Sequence, residues 1–304
     1  MLKWMRSIPS NIRDVFFPFV FMMVGLTFLY GFLNWLFVVR TGRFIYDLGW
    51  LDIIIPVAIA LVVVWYWLVP RLADLNFIDD VYKKRLAPII AFLILALSMH
   101  CVQVWTGTYY SKIQHLNHIS EIKNEPKKRF YEIFQRYYVD KTLMSHYDNK
   151  HHCGSRSNDV RYCIEIYAIY PVYEKKSEAL IKKEPVAWLG ISFKNESQSL
   201  SESDEFFVGK MRYLKELDPN AFYYLERMTD SNYDSDLYET AIYTRQYPFA
   251  ISKKPLILLP SYIPFSERLK YDFSNLFCTW IVGILVWFGI CYLMIHENVG
   301  LRKI

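Results

Sequence analysis

The chain has 304 residues, 53% of them apolar and 18% aromatic, with a formal net charge of +5 at neutral pH. Apolar content this high, gathered into long runs, excludes a disordered polar chain. Basic and acidic side chains nearly balance across residues 106–273, which excludes the clustered basic face that nucleic acid requires.

Four stretches are long and almost free of charge. They cover residues 15–39, 51–69, 86–106 and 276–295, and His100 is the one titratable group in the third apart from a cysteine. A helix needs about 20 apolar residues to cross a hydrocarbon core of roughly 30 Å. Lipid offers no partner for backbone N–H and C=O groups, so a spanning segment must be a helix or part of a closed barrel. The spacing is three runs, then a long polar segment, then one run. The expected fold is therefore a membrane α-helical protein with four transmembrane helices arranged 3+1. One α+β extracytoplasmic domain is inserted between helices 3 and 4. The expected divisions are 1–105, 106–273 and 274–304.

Aromatic side chains lie where interfacial anchors belong: Tyr30, Trp35, Trp50, Trp65, Trp67, Trp105, Tyr109, Tyr110 and Trp280. The first apolar run is too long for a cleaved leader. Lys3, Arg6 and Arg13 precede it, and Arg71, Lys83, Lys84 and Arg85 join the second and third runs. Arg302 and Lys303 follow the fourth, whereas the opposite side carries Arg40 and Arg43. This bias places both termini in the cytoplasm and residues 106–273 outside, which is the periplasm of a Gram-negative cell. Between the second and third runs, Leu72, Leu75, Ile78, Val81 and Tyr82 share a helical spacing, read either as a short amphipathic surface helix or as an ordinary connection.

In the polar segment, residues 110–123 are predicted to prolong the third helix. Residues 129–140, 160–173, 186–193 and 222–228 read as strands, rich in Tyr, Ile, Val and Phe. Residues 174–184 read as a loop or short helix. Ser201 with Asp204 resembles a capping box opening a helix to Leu217, and residues 235–246 read as a second helix. Residues 256–259 form an apolar strand closed by Pro260. A hairpin is expected around Gly154 and Asn158. It carries Cys153 and Cys163, which cross-strand pairing would bring together in an oxidising compartment. Sequence alone leaves open whether they bond. Cys101, Cys278 and Cys291 lie in apolar runs, where a thiol is a small apolar group.

Candidate chemistry is sparse. His115, His118, His146, His151, His152 and Cys153 are metal-ligand types, but their spacing fits no ligand signature, so solvated histidines are expected. Within the helices, Asn34, Asp52, His100, Gln103 and Thr279 fall toward the outer ends. They read as a polar site or as hydrogen-bonding glue between helices. There is no Gly-x-Ser-x-Gly, His-Glu-x-x-His or phosphate-binding glycine loop. Ser98 and His100 point to different faces of one helix. No catalytic, metal or cofactor residue is assigned. Tyr162, Tyr167, Tyr170, Tyr173, Tyr213, Tyr223 and Tyr224 read as interface residues or as half-buried strand residues.

Several strings are notable: Phe17-Pro18-Phe19, Leu33-Asn34-Trp35-Leu36, Leu68-Val69-Pro70-Arg71-Leu72, Ala187-Trp188-Leu189-Gly190-Ile191, Tyr224-Leu225-Glu226-Arg227 and Leu258-Leu259-Pro260. With them the chain resembles the long N-terminal region found ahead of the protease domain in some large bacterial rhomboid-family membrane proteins. The catalytic serine turn and histidine of rhomboid proteases have no counterpart here. The resemblance implies a bacterial inner-membrane location and a non-enzymatic role as an interaction module accessory to a rhomboid-type membrane protease. The expected partners are the lipid bilayer and other membrane or envelope proteins, with an oligomer open. A structural subunit of an envelope or secretion complex, and a sensor or transporter-like protein using the polar cluster, are the alternatives.

Overall fold

The computed structural model describes residues 10–40, 51–73, 81–123, 128–153, 161–219, 221–228, 233–251 and 254–300. The chain forms two compact units. The helical unit takes residues 1–110 and 266–304, and the α/β unit takes 111–265.

In the helical unit, α1 runs Ser10–Asn34 and continues through a widened π turn, Trp35–Val39. α2 runs Leu51–Val63, widens in the same way over Val64–Leu68 and ends as Val69–Ala73. α3 is Val81–Ser111 and α4 is Phe265–Gly300. Four segments are long and apolar enough to cross a bilayer: Arg13–Phe37, Ile53–Leu72, Leu86–Ser111 and Phe265–Tyr292. Their inner faces follow helical spacing. α3 buries Ala87, Ala91, Leu95, Met99 and Val102, α2 buries Ala60, Val64, Leu68 and Leu72, and Phe19 of α1 meets Trp287 of α4 at 4.4 Å between rings. Small residues set the closest approaches. A Cβ on Gly283 would lie 2.8 Å from Ile94, and one on Gly31 would lie 3.0 Å from Val102. The outer faces remain apolar and uncovered, with Phe21, Tyr66 and Leu285 at 74%, 78% and 63% exposure.

α3 ends where Lys112 adopts a left-handed φ of 41°. The helix predicted over 110–123 therefore does not form. Gln114–Leu116 is instead strand β1, and Ile119–Lys123 is a 3-10 turn. The remaining strands are β2 Phe130–Ile133, β3 Tyr138–Val139, β4 Ser145–His152, β5 Tyr162–Tyr173, β6 Ala187–Ser197, β7 Tyr224–Arg227 and β8 Ile257–Ser261. The helices of this unit are α5 Lys176–Leu180, α6 Leu200–Glu216 and α7 Tyr233–Tyr243. The strands make one mixed sheet in the order β1-β2-β7-β8-β6-β5-β3, with β4 in line with β3 on the free side of β5.

The strand predicted over 129–140 is broken, and geometry gives the reason. β2 and β3 lie five inter-strand steps apart, about 24 Å in a flat sheet. The five residue-to-residue steps from Ile133 to Tyr138 reach at most about 18 Å. The sheet must curl. It wraps a core containing Leu116, Tyr131, Val139, Tyr170, Leu189, Leu214 and Leu225, onto which α6 packs. The opposite face carries Tyr167, Ile169, Trp188 and Ile257 against Tyr238, Ala241 and Ile242 of α7. Alternation along β5 and β6 serves both faces, so residues 166–173 of β5 and 187–191 of β6 are buried on both sides, whereas β6 opens to solvent beyond Ile191.

The cap of α6 also differs from the predicted Ser201–Asp204 box. Ser199 accepts from the Glu202 N–H at 3.2 Å, and Glu202 reaches back to the Gln198 N–H at 3.0 Å. Asp204 instead pairs with Lys150 at 2.7 Å.

Gly190 allows α7 to approach the sheet. A Cβ there would stand 2.9 Å from a ring carbon of Tyr238 and 3.1 Å from Ile257. The Tyr238 ring is buried and held edge-to-face by Tyr167 at 5.2 Å, so it has little room to yield. Gly190→Ala is expected to cost about 1–3 kcal/mol as an overpacking change. Thermal unfolding of the purified protein measures it, and an unchanged midpoint would mean that the ring gives way freely.

Candidate functional site

The polar residues of the helices form separate contacts. Tyr30 Oη donates to Gln103 Oε1 at 2.5 Å, and Asn34 Nδ2 donates to Thr106 Oγ1 at 3.0 Å, both joining α1 to α3. Thr279 Oγ1 lies 3.5 Å from Cys101 Sγ, joining α4 to α3, and also donates to the Asn275 carbonyl at 2.8 Å. His100 does not join them. It lies on the exposed stripe of α3 with Leu93, Leu97 and Val104. The side chain of Asp52, like the connection at 74–80, lies outside the described residues. Hydrogen-bonded pairs of this kind hold apolar helices in register.

Beside those pairs, α1, α3 and α4 enclose a cavity of about 480 Å³. Phe28, Phe32, Trp35, Trp105, Phe273 and Trp280 line it, with Gly31 and Thr106. The Thr106 hydroxyl is already engaged by Val102 and Asn34. Its chemistry suits an apolar chain and offers a polar ligand almost nothing.

In the α/β unit, Cys153 and Cys163 are joined by a disulfide, with Cα atoms 5.8 Å apart. The bond crosses the end of the β4–β5 ladder, where the Cys153 N–H donates to the Arg161 carbonyl at 3.0 Å. Cys153 is therefore not a thiolate ligand. The histidines are dispersed. His115 pairs with Glu132 at 3.0 Å and His118 with Glu174 at 3.5 Å, while His146 packs near Phe207 and His152 near Tyr162. Among the described residues no group of three His, Cys, Asp or Glu side chains is arranged to hold a metal ion.

The tyrosines divide. Tyr167, Tyr170, Tyr173 and Tyr224 are buried, Tyr162 is half-buried, and Tyr213 and Tyr223 are exposed. The Tyr167 hydroxyl donates to Asp234 at 2.9 Å and reaches Glu165 at 3.1 Å, while Lys194 pairs with both carboxylates at 3.3 and 3.4 Å. Burial, followed by the Asp234 contact, holds this phenol protonated well above the ordinary tyrosine range. The group ties the start of α7 to β5 and β6. Asp234 thus serves at the helix N-terminus, as expected for a carboxylate there.

One surface feature of the α/β unit was not foreseen. Phe206, Lys210 and Tyr213 share one face of α6. The Lys210 ammonium lies 5.3 Å from the Phe206 ring and 4.8 Å from Phe193 of β6. Phe193 meets Tyr213 at 5.8 Å, and the Tyr213 and Tyr262 hydroxyls are 2.9 Å apart. Tyr262 then meets Phe222 at 5.0 Å. An aromatic ribbon, half-exposed to exposed, thereby crosses β6, α6 and the segments flanking β7 and β8. Elsewhere Leu180 and Ile181 each stand 74% exposed at the tip of α5, between Lys175, Lys176, Lys182 and Lys183.

Compared with known proteins, the chain matches no family model, no curated protein and no solved structure. The site is therefore read from its own chemistry. The 206, 210, 213 spacing was visible as one helical face. Its continuation through Phe193, Phe222 and Tyr262 was not, because those residues meet only after the sheet forms.

Proposed function

We propose that this chain is a bacterial inner-membrane protein that crosses the bilayer four times and presents its α/β unit outside the cytoplasm as a protein-interaction module. The observation that carries the interaction role is the aromatic ribbon. Tyrosine and phenylalanine with an intervening lysine bring large apolar area and satisfiable hydroxyls at low entropic cost, the composition that concentrates binding energy at interfaces. The membrane reading rests on the uncovered apolar faces of the four helices, which far exceed what a water-soluble surface exposes. The Cys153–Cys163 bond supports an oxidising compartment for the α/β unit independently of loop charge. The partner we favour is a rhomboid-type membrane protease, on the strength of the shared local strings.

Orientation is tested with single cysteines probed by an impermeant thiol reagent on intact cells, in a background lacking Cys101, Cys278 and Cys291. Ser201 is exposed and suits the outer position, whereas Ser197 is buried against Ser203 at 2.6 Å and does not. Labelling at position 201 with protection at position 7 is expected, and the reverse would overturn the topology. The interaction role is tested by the double substitution Tyr213→Ala with Tyr262→Ala. Co-purification with a membrane partner in mild detergent is expected to fall at least about tenfold, as for loss of hot-spot tyrosines. Unchanged recovery would remove the ribbon from the interface.

A further inference from the structure

We infer that the turn between β5 and β6 is a second membrane contact, in which Leu180 and Ile181 enter the interface of an anionic bilayer and the lysines beside them meet its headgroups. The inference rests on the four-span reading and adds to it a lipid-binding element in the α/β unit, apart from the aromatic ribbon. The turn is built to hold its shape. Its root is clamped where Val172 pairs with Ala187 and the Val186 N–H donates to the Val172 carbonyl at 2.8 Å. Between those points α5 closes tightly. The Ile181, Lys182 and Lys183 N–H groups donate to the Ser177, Ala179 and Glu178 carbonyls at 3.3, 3.1 and 3.1 Å. Lys182 takes a left-handed φ of 57°, an uncommon conformation for a residue other than glycine. This corner carries Leu180 and Ile181 at 74% exposure each, the highest of the large apolar residues described in this unit.

The charges around the tip select the occupant. Glu178 is taken by Lys183 at 2.6 Å, and Glu174 by His118 at 3.5 Å. Among the described residues Lys175, Lys176 and Lys182 have no acidic partner, and all three are exposed. Glu184 is the acidic residue left on the turn. Three free ammonium groups around two exposed aliphatic side chains match an anionic lipid surface, which takes the apolar pair below its headgroups and the lysines among them. A protein partner fits less well. Interface cores are depleted in lysine, and the side chains that concentrate binding energy there are Trp, Tyr and Arg rather than leucine. The chain path to a membrane-crossing helix is also short. Seven residue-to-residue steps join Ser111, the last residue of α3, to His118, which pairs with Glu174 at the root of the turn. At full extension they reach about 25 Å. So short a tether keeps the effective concentration of bilayer around the turn high.

The test uses the full-length protein in nanodiscs, in the background lacking Cys101, Cys278 and Cys291. A single added cysteine carries an environment-sensitive fluorophore, and nitroxide-bearing lipid is the quencher. Leu285→Cys, on the uncovered face of α4, reports the span, and Ile181→Cys reports the tip. Both probes are expected to be quenched in phosphatidylglycerol discs. In phosphatidylcholine discs the probe at 285 should be unchanged, and the probe at 181 should lose most of its quenching. The triple variant Lys175→Gln, Lys176→Gln and Lys182→Gln is expected to lower the inserted-to-free ratio of the tip on the order of a hundredfold, from about fivefold per lysine at an anionic surface. Rising salt should act in the same direction. Leu180→Ser is expected to lower the ratio about tenfold, the transfer preference of one aliphatic side chain. These side chains are exposed, so the substitutions leave the fold in place. Quenching at 285 without quenching at 181 overturns the contact and leaves the four-span reading standing. A protein occupant of the tip would give this result, because the discs hold this chain alone. Quenching at 181 that is equal in both lipids and unchanged in the triple variant also overturns the contact as drawn. No quenching at 285 removes the four-span reading and the contact with it.

Discussion

Replacing Tyr170 with alanine is expected to destabilise the α/β unit by about 3–5 kcal/mol, the cost of removing a fully buried aromatic side chain. Tyr170 is at 0% exposure in the middle of β5, where it pairs with Leu189 of β6. Its ring fills the core beneath α6 together with Leu189, Leu214 and Leu225. Its hydroxyl donates to the Leu214 carbonyl at 2.9 Å. Leu214 lies in the last turn of α6, so that carbonyl is one of those the helix cannot satisfy internally. One side chain therefore both fills the core and caps a helix. Burial, assisted by Tyr262 and Tyr213, keeps the phenol protonated well above its ordinary range, so the donor is present at any working pH. Tyr170→Phe separates the two roles. It keeps the ring and loses the hydrogen bond, leaving a buried carbonyl unpaired at a cost of about 1–2 kcal/mol. Urea unfolding of the full chain in detergent, followed by tryptophan fluorescence, measures both. A Tyr170→Ala loss no greater than that of Tyr170→Phe would show that the curled sheet closes over the gap and that the ring is not a core element.

What the sequence made legible depends on how far each signal reaches. The four apolar runs were visible because hydropathy and length need no partner. β5 and β6 were visible because β-branched and aromatic residues continue for most of their length. Residues 110–123 misled because the local pattern continues the helix. Only the distant strand β2 turns Gln114–Leu116 into β1, and the left-handed residue Lys112 makes the corner. The cap was displaced by two residues because Ser199 with Glu202 and Ser201 with Asp204 are near-equal local signals. The helix that forms selects between them by what Leu214 and Leu217 must bury. In the helical unit, Asn34 and Gln103 were recognisable as polar residues in apolar surroundings. Their partners Thr106 and Tyr30 were not, because more than 70 positions separate each pair.

Removing the Cys153–Cys163 bond, by Cys153→Ser with Cys163→Ser, is expected to cost about 2–3 kcal/mol, the chain-entropy value for a loop this short. The two residues are separated by 10 positions. β4 depends on this bond more than its eight residues suggest. Among the described residues it pairs with β5 alone, and its other backbone edge receives no strand. Side-chain support comes from Ser145, which donates to the Ala241 carbonyl at 2.6 Å, and from the Lys150–Asp204 pair. That pair is exposed and contributes at most about 1 kcal/mol. Opening the disulfide should therefore fray the β4–β5 ladder from the end farther from Ser145. The expected signature is accelerated hydrogen exchange from Lys150 to His152 before any change at Tyr170. Uniform loss of protection across both strands would mean that the bond acts only through the unfolded chain. The bond also tests the orientation from inside the cell. Alkylation of free thiols before lysis should leave Cys153 and Cys163 unmodified if the α/β unit faces an oxidising compartment. Their quantitative alkylation would place the unit on the reducing side of the membrane, and the proposed topology would fail with it.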